Sequence, residues 1–375
     1  MTSPKARQIP LASPIFDKEM ENAALNALHN QRFVLGEDVQ KFEEEWAKYC
    51  GVKYGISTNS GTDALHLSLI ALGVGKQDQV ITTPLSFIAT ANAIIHAGAT
   101  PIFADIDSNT YNIDPNEVEM RIAKRTKAIL PVHLYGYPSN MQQLIEVAHR
   151  NDVKVVEDAC QAHGAEYYGL RVGAIGEVGC FSFYPSKNLT VCGDGGIVVT
   201  NNLEIAEAIR KLRDCGRRKT YLHDVIGYTA RLNTVNAAIG RIQLKSLNAW
   251  NEKRRKNAAL YNELLSDLDE VILPPVGNSQ VKPVYHLYVI RVKMRDKLRK
   301  WLEDNGIQCG IHYPLPIHLQ PIYKKLFNFK GGEYPISELV SQTCLSLPMF
   351  PNLTSDEIRY ISEKIHGFYT RITNQ

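Results

Sequence analysis

From Val52 to about Thr200, short β-rich runs alternate with helical stretches, the signature of a parallel sheet covered by helices. The strand candidates are Tyr54–Ser57, Val80–Thr82, Pro101–Phe103, Ala128–Val132, Lys154–Glu157, Gly179–Phe183 and Gly196–Thr200. Between them Leu65, Leu69 and Leu72 recur at i, i+4 and i+7, and Met141, Leu144, Ile145 and Ala148 form a second apolar stripe. A long helical region follows over roughly Val235 to Leu265. Its charged run Glu252-Lys253-Arg254-Arg255-Lys256 reads as a solvated helix face rather than a basic recognition patch.

Beyond about Pro274 the pattern changes to a strand-like Tyr285–Val292, a helix over Lys297–Asn305, a Pro-rich stretch from Tyr313 to Pro321 and a final helix near Ser355–Tyr369. The expected organisation is therefore a large α/β domain with an N-terminal arm over 1–250 and a small C-terminal α/β domain over 251–375. A length of 375 residues suits two such units. Lys and Arg total 42 against 39 Asp and Glu, too even a balance for a dedicated nucleic-acid binder, so a small-molecule protein is expected. The seven cysteines are odd in number and lack metal-ligand spacing, so they read as reduced, cytoplasmic thiols with no metal. Met1 to Pro10 carries Lys5 and Arg7 without an apolar run behind them, which is not a leader pattern. No stretch approaches the roughly 18 apolar residues of a membrane span.

Nucleotide fingerprints fail. In G-x-G-x-x-G the third glycine falls on Asp78 after Gly73 and Gly75, and on Val198 after Gly193 and Gly195. There is no P-loop, no G-x-S-x-G elbow and no H-E-x-x-H. Three segments make joint chemical sense instead. Asn59–Leu65 is a Gly turn that opens into an apolar-faced helix, whose free N–H groups suit a phosphate; Ser60 or Thr62 as a plain N-cap is the alternative. The strand Lys154–Glu157 runs into Asp158, at the carboxyl end where ligands of open sheets sit; an N-cap role for Asp158 stays open. Cys180–Leu189 carries a strand into a turn presenting Lys187, and Gly193, Gly195 and Gly196 follow.

A phosphate-binding helix start, a carboxylate at a strand end and a Lys on the next strand's turn are the parts that pyridoxal phosphate needs. Lys187 would form the Schiff base and afterwards carry the proton between carbons; Asp158 would keep the ring nitrogen protonated. Gly61, Thr62 and Ser182 would take the phosphate, and Phe87 would stack on the ring or simply belong to the core.

Those residues resemble the DegT/DnrJ/EryC1/StrS family of nucleotide-sugar aminotransferases, of aspartate-aminotransferase-like (type I) fold, over nearly the whole chain. The likeness is carried by Ser60–Leu65, Pro131–Gly136, Glu157–Gly164, Phe181–Leu189, Gly193–Gly196, Gly310–Pro314 and Ser346–Phe350. It implies a homodimer with shared active sites, moving the amino group of L-glutamate onto a nucleotide-linked keto-sugar by a ping-pong mechanism. It also implies Gln161 against the cofactor, and His133, Tyr184, Tyr221, His312, Tyr313 and His318 near the substrate. The motifs His133-Leu134-Tyr135-Gly136, Lys187-Asn188-Leu189 and Gly193-Asp194-Gly195-Gly196 resemble the branch that aminates carbon 3 of a 3-keto (6-deoxy)hexose. One departure stands out. Thr229 occupies a position where many relatives have the Asn that reaches the neighbouring subunit's cofactor phosphate, and Asn233 is the alternative cofactor contact. Rival readings are amination at carbon 4 or of a keto-cyclitol, a sugar dehydratase with His in place of the Lys, and a non-catalytic regulatory homologue; Lys187 speaks against the last two.

Overall fold

The computed structural model describes residues 8–373, so most of Met1–Pro10, with Lys5 and Arg7, lies outside the described residues. All seven expected strands form, and they join one sheet: β1 (Tyr54–Thr58), β2 (Gln79–Thr82), β3 (Thr100–Phe103), β4 (Thr126–Leu130), β5 (Lys154–Asp158), β6 (Val178–Ser182) and β7 (Gly196–Thr200). Their order is β1-β7-β6-β5-β4-β2-β3. Every strand but β7 runs in one direction, and β7 pairs antiparallel with both β1 and β6. A mostly parallel sheet must be covered on both faces, and it is. Leu65, Leu69, Ile94 and Ile209 from helices Gly61–Ala71, Ala89–His96 and Leu203–Arg213 bury one face. Phe42 and Trp46 of helix Glu37–Cys50, and Met141 and Leu144 of helix Met141–Arg150, bury the other.

The long helix Thr234–Leu265 starts where Asn233 caps it, its Oδ1 accepting from the Asn236 N–H at 2.9 Å. Its first half packs on the large domain through Ala237 and Leu247, while Ala258, Tyr261 and Leu265 enter a second core with Tyr288, Ile290, Leu345, Leu347 and Ile361. The division at 250/251 thus falls inside one continuous helix rather than in a linker. Nor does the C-terminal third form a single unit: Ile317, Tyr323 and Tyr334 pack against Ala91 and Phe103 of the large domain, because the Pro-rich stretch turns the chain back onto it. The charged run of the long helix also needs correction. Arg254 is only 4% exposed, since the face it occupies is covered by the segments carrying Tyr285, His286 and Met349, to whose carbonyls it donates. No described helix is long and apolar enough to cross a membrane.

Candidate active site

The carboxyl ends of β1, β5 and β6 surround a cavity of about 520 Å³, at the edge where open α/β sheets bind ligands. Helix Gly61–Ala71 follows β1 after a short turn. Ser60 caps it by accepting from the Asp63 N–H at 3.1 Å, so the capping reading holds, and the Gly61 and Thr62 N–H groups are left without a partner among the described residues. The capping and anion-binding readings are therefore compatible. Gly61 is required there, because a Cβ would stand 2.6 Å from Ser182 Cβ and 2.9 Å from Cys160 Sγ.

Asp158, the last residue of β5, is 4% exposed. Its Oδ1 accepts from the Cys160 N–H at 3.2 Å and its Oδ2 from Thr90 Oγ1 at 2.8 Å. No cation reaches this buried carboxylate among the described residues. Lys187 sits in the turn after β6, its backbone N–H donating to the Tyr184 carbonyl at 2.9 Å, and lines the same cavity with its ammonium in no hydrogen bond or ion pair among the described residues. Burial lowers its ammonium pKa, partly offset by the negative potential of Cys160 and Asp158. One cavity thus holds a carboxylate without an ion-pair partner, a lysine made less basic by burial and a free helix N-terminus.

Of the other expected residues, Phe87, Gln161, Ser182, Tyr184, His312 and Tyr313 also line the cavity. Gln161 is fixed at both ends: its Oε1 accepts from the Tyr135 N–H at 2.8 Å and its Nε2 donates to Tyr313 Oη at 3.0 Å. Phe87 and Tyr184 stand at the mouth, 55% and 54% exposed, with the Phe87 and Tyr313 rings 6.1 Å apart. Burial, reinforced by the Lys187 charge, depresses His312 to about 4, so its imidazole is neutral at pH 7.

Four expected residues lie elsewhere. His133 is fully buried beneath the strand ends, where Nδ1 accepts from the Ser139 N–H at 3.0 Å and Nε2 therefore donates to Glu157 Oε2 at 3.0 Å. It braces Glu157, which also accepts from the N–H groups of Gly173, Ile175 and Gly176. His318 is likewise fully buried, against Phe329 and Tyr334, with Nε2 and Glu338 Oε1 3.0 Å apart. Tyr221 is 90% exposed on the hairpin formed by Arg217–Lys219 and Leu222–His223. Asn233 is spent on its helix cap, and Thr229 Oγ1 lies 3.5 Å from Cys215 Sγ, so neither lines this chain's cavity.

Thr90, His163 and His286, to which the sequence assigns no role, also stand at the site. Thr90 lies three residues beyond Phe87, and only the fold brings its Oγ1 to Asp158. His163 donates from Nε2 to the Ser182 carbonyl at 2.7 Å and is driven to about 3 by burial and Lys187. His286 lines the cavity, its pKa pushed well below the usual value by burial.

A mostly parallel α/β sheet with this lysine, carboxylate and helix start at its carboxyl edge is an arrangement that suits pyridoxal phosphate. The chain belongs to the DegT/DnrJ/EryC1/StrS aminotransferase family, whose model matches residues 14–366, and is a sugar aminotransferase. It is 44% identical to a pleiotropic regulatory protein of Geobacillus stearothermophilus, over 91% of this chain and 92% of that one. It is 41% identical to the dTDP-3-amino-3,4,6-trideoxy-alpha-D-glucose transaminase of Streptomyces venezuelae, over 94% and 93%. The crystal structure of S. venezuelae DesV in complex with a ketimine intermediate superposes with a TM-score of 0.91 at 41% identity, covering 93% of this chain and 94% of that one.

Proposed function

We infer that this chain transfers the amino group of L-glutamate to the carbon-3 keto group of a nucleotide-linked (6-deoxy)hexose, by a ping-pong mechanism and as a homodimer. The observation that carries the chemistry is a buried carboxylate, Asp158, and a half-buried lysine, Lys187, lining one cavity without an ion pair between them. Such a pair is costly to keep unless a ligand meets both. Pyridoxal phosphate fits: it supplies an aldehyde that takes up an amine and a ring that accepts the electron pair of a deprotonated carbon.

The residues have distinct tasks. Asp158, fixed by Thr90 and the Cys160 N–H, would hold a proton on a ring nitrogen. Gly61 and Thr62 would offer two N–H groups and the positive end of an 11-residue helix to the phosphate, with Ser182 beside them. Gln161 would be held in place by the Tyr135 N–H and Tyr313. Lys187 Nζ, made less basic by burial, would take the proton from the donor's α-carbon and return it to the carbon across the shared nitrogen, the one the cofactor's aldehyde supplies.

Carbon 3 is favoured by the three motifs named above and by the name of the S. venezuelae relative. Two observations support the homodimer. Among the described residues the cavity wall carries one Lys or Arg, Lys187, whereas L-glutamate and a diphosphate bring several negative charges. Moreover, the hairpin bearing Arg217, Arg218 and Lys219 leaves Tyr221 and the nearby Ile226 each 90% exposed, a surface suited to a second copy. Incubating the enzyme with L-glutamate and an equimolar mixture of 3-keto and 4-keto nucleotide hexoses tests the regiochemistry by NMR of the product. Nitrogen on carbon 3 is expected; nitrogen on carbon 4 alone overturns the assignment.

A further inference from the structure

Arg254 and Asn251 are one turn apart on the long helix, on the same face. Asn251 is 1% exposed and binds the lysine turn: its Oδ1 accepts from Asn188 Nδ2 at 2.9 Å, and its Nδ2 donates to the His163 carbonyl at 2.7 Å. Asn188 follows Lys187 directly. Arg254 binds the opposite wall, its Nη1 donating to the carbonyls of Tyr285 at 3.1 Å, His286 at 3.3 Å and Met349 at 3.0 Å. His286 and Met349 line the active cavity, and they come from segments more than sixty residues apart. One helical turn thus grips both the lysine turn and the wall that faces it.

The chemistry of Arg254 is unusual for a brace. Among the described residues no carboxylate lies within ion-pair distance, Nε has no partner, and burial lowers the guanidinium pKa to about 9. A cation held this way opposes folding, and an apolar side chain of similar length would fill the space at less cost. What such a side chain lacks is a donor: Nη1 alone meets all three carbonyls, so its two N–H groups are shared among them.

We propose that Arg254 is a positioning residue for amino transfer: with Asn251 it sets the His286–Met349 wall against the Lys187 turn, without touching substrate or cofactor. Misplacement of such a wall by about an ångström is enough to slow a reaction by two orders of magnitude. The proposal rests on Lys187 and this cavity being the reacting site.

The test compares pyridoxal-phosphate-loaded wild type with Arg254→Met, Arg254→Ala and Arg254→Lys. The rate at which saturating L-glutamate bleaches the visible band is read by rapid mixing, together with the half-saturating concentration and the melting temperature. Arg254→Met is expected to keep the visible band, bleach about 10- to 100-fold more slowly and shift half-saturation less than about threefold. Millimolar guanidinium should restore part of the rate in Arg254→Ala, whereas sodium chloride of equal ionic strength should not. A bleaching rate in Arg254→Met within twofold of wild type overturns the proposal, as does failure of guanidinium to restore a folded Arg254→Ala. If both truncations fail to fold, Arg254→Lys decides: slow bleaching at an unchanged melting temperature supports positioning, and a wild-type rate refutes it. Wild type that does not bleach with L-glutamate refutes the donor assignment instead, and the comparison is then made with the amino acid that does bleach it.

Discussion

Asp158 and Lys187 share a cavity without neutralising each other, and the neighbouring side chains explain how that arrangement is kept. Thr90 and a backbone N–H hold the carboxylate, while the imidazoles around the lysine stay uncharged. His163 and His312, at about 3 and about 4 in the folded chain, sit near 6.5 when unfolded. Below pH 6.5 the unfolded chain therefore binds protons that the folded chain does not. Stability is fully present above that value and falls as the pH drops towards 4, by up to about 1.4 kcal/mol per pH unit for each histidine. Urea titrations between pH 7 and 5 should show the loss, and His312→Gln should make the slope shallower; an unchanged slope contradicts the neutral imidazole. His133 belongs to a different category. It donates to the buried Glu157, so His133→Leu should cost roughly 2 kcal/mol of stability and leave the half-saturating substrate concentrations within about twofold; a large rise in the latter would return His133 to the substrate site. Residue type and motif could not separate His133, just beyond β4, from His312, in the loop after helix Arg295–Asp304, because burial is what distinguishes them.

At the scale of elements, the sheet was legible because β-branched runs such as Val155-Val156 and Ile197-Val198-Val199 are short, apolar and bounded by turn residues, which leaves few other conformations open. Less legible was what happens after Leu265, where contacts rather than local pattern decide. The Pro-rich stretch returns to Ala91 and Phe103, and the charged run at 252–256 buries Arg254 because a second core closes over that face. Thr90 and His286 were invisible for the same reason: their role depends on which strand end they meet. Glycine spacing also carries information that pattern alone hides. A Cβ on Gly179 of β6 would stand 2.1 Å from the Gly173 carbonyl oxygen, a backbone atom with no rotamer to escape into. Gly179→Ala should therefore destabilise the protein by about 3 kcal/mol or more. A melting temperature equal to wild type would show that the loop at Gly173 yields freely.

For the whole molecule, the proposed shared site rests on the single lysine among the described residues of the cavity wall, and on an exposed basic hairpin that bears Tyr221, with Ile226 just beyond it and equally exposed. Light scattering should return twice the 42.1 kDa chain mass, and Ile226→Asp should shift the population towards monomer with loss of turnover. A fully active monomer would contradict a shared site. The family and the cavity make this chain a sugar aminotransferase; that Lys187 is the reacting group is the claim on which the residue assignments depend. It is tested most directly by the visible spectrum of the pyridoxal-phosphate-loaded protein during sequential addition of L-glutamate and a nucleotide-linked 3-keto hexose, alongside Lys187→Ala. The account predicts that the band disappears with glutamate, returns with the keto-sugar, and does neither in the variant. A band that cycles equally in Lys187→Ala, or a wild-type chain that takes up no pyridoxal phosphate, would contradict it.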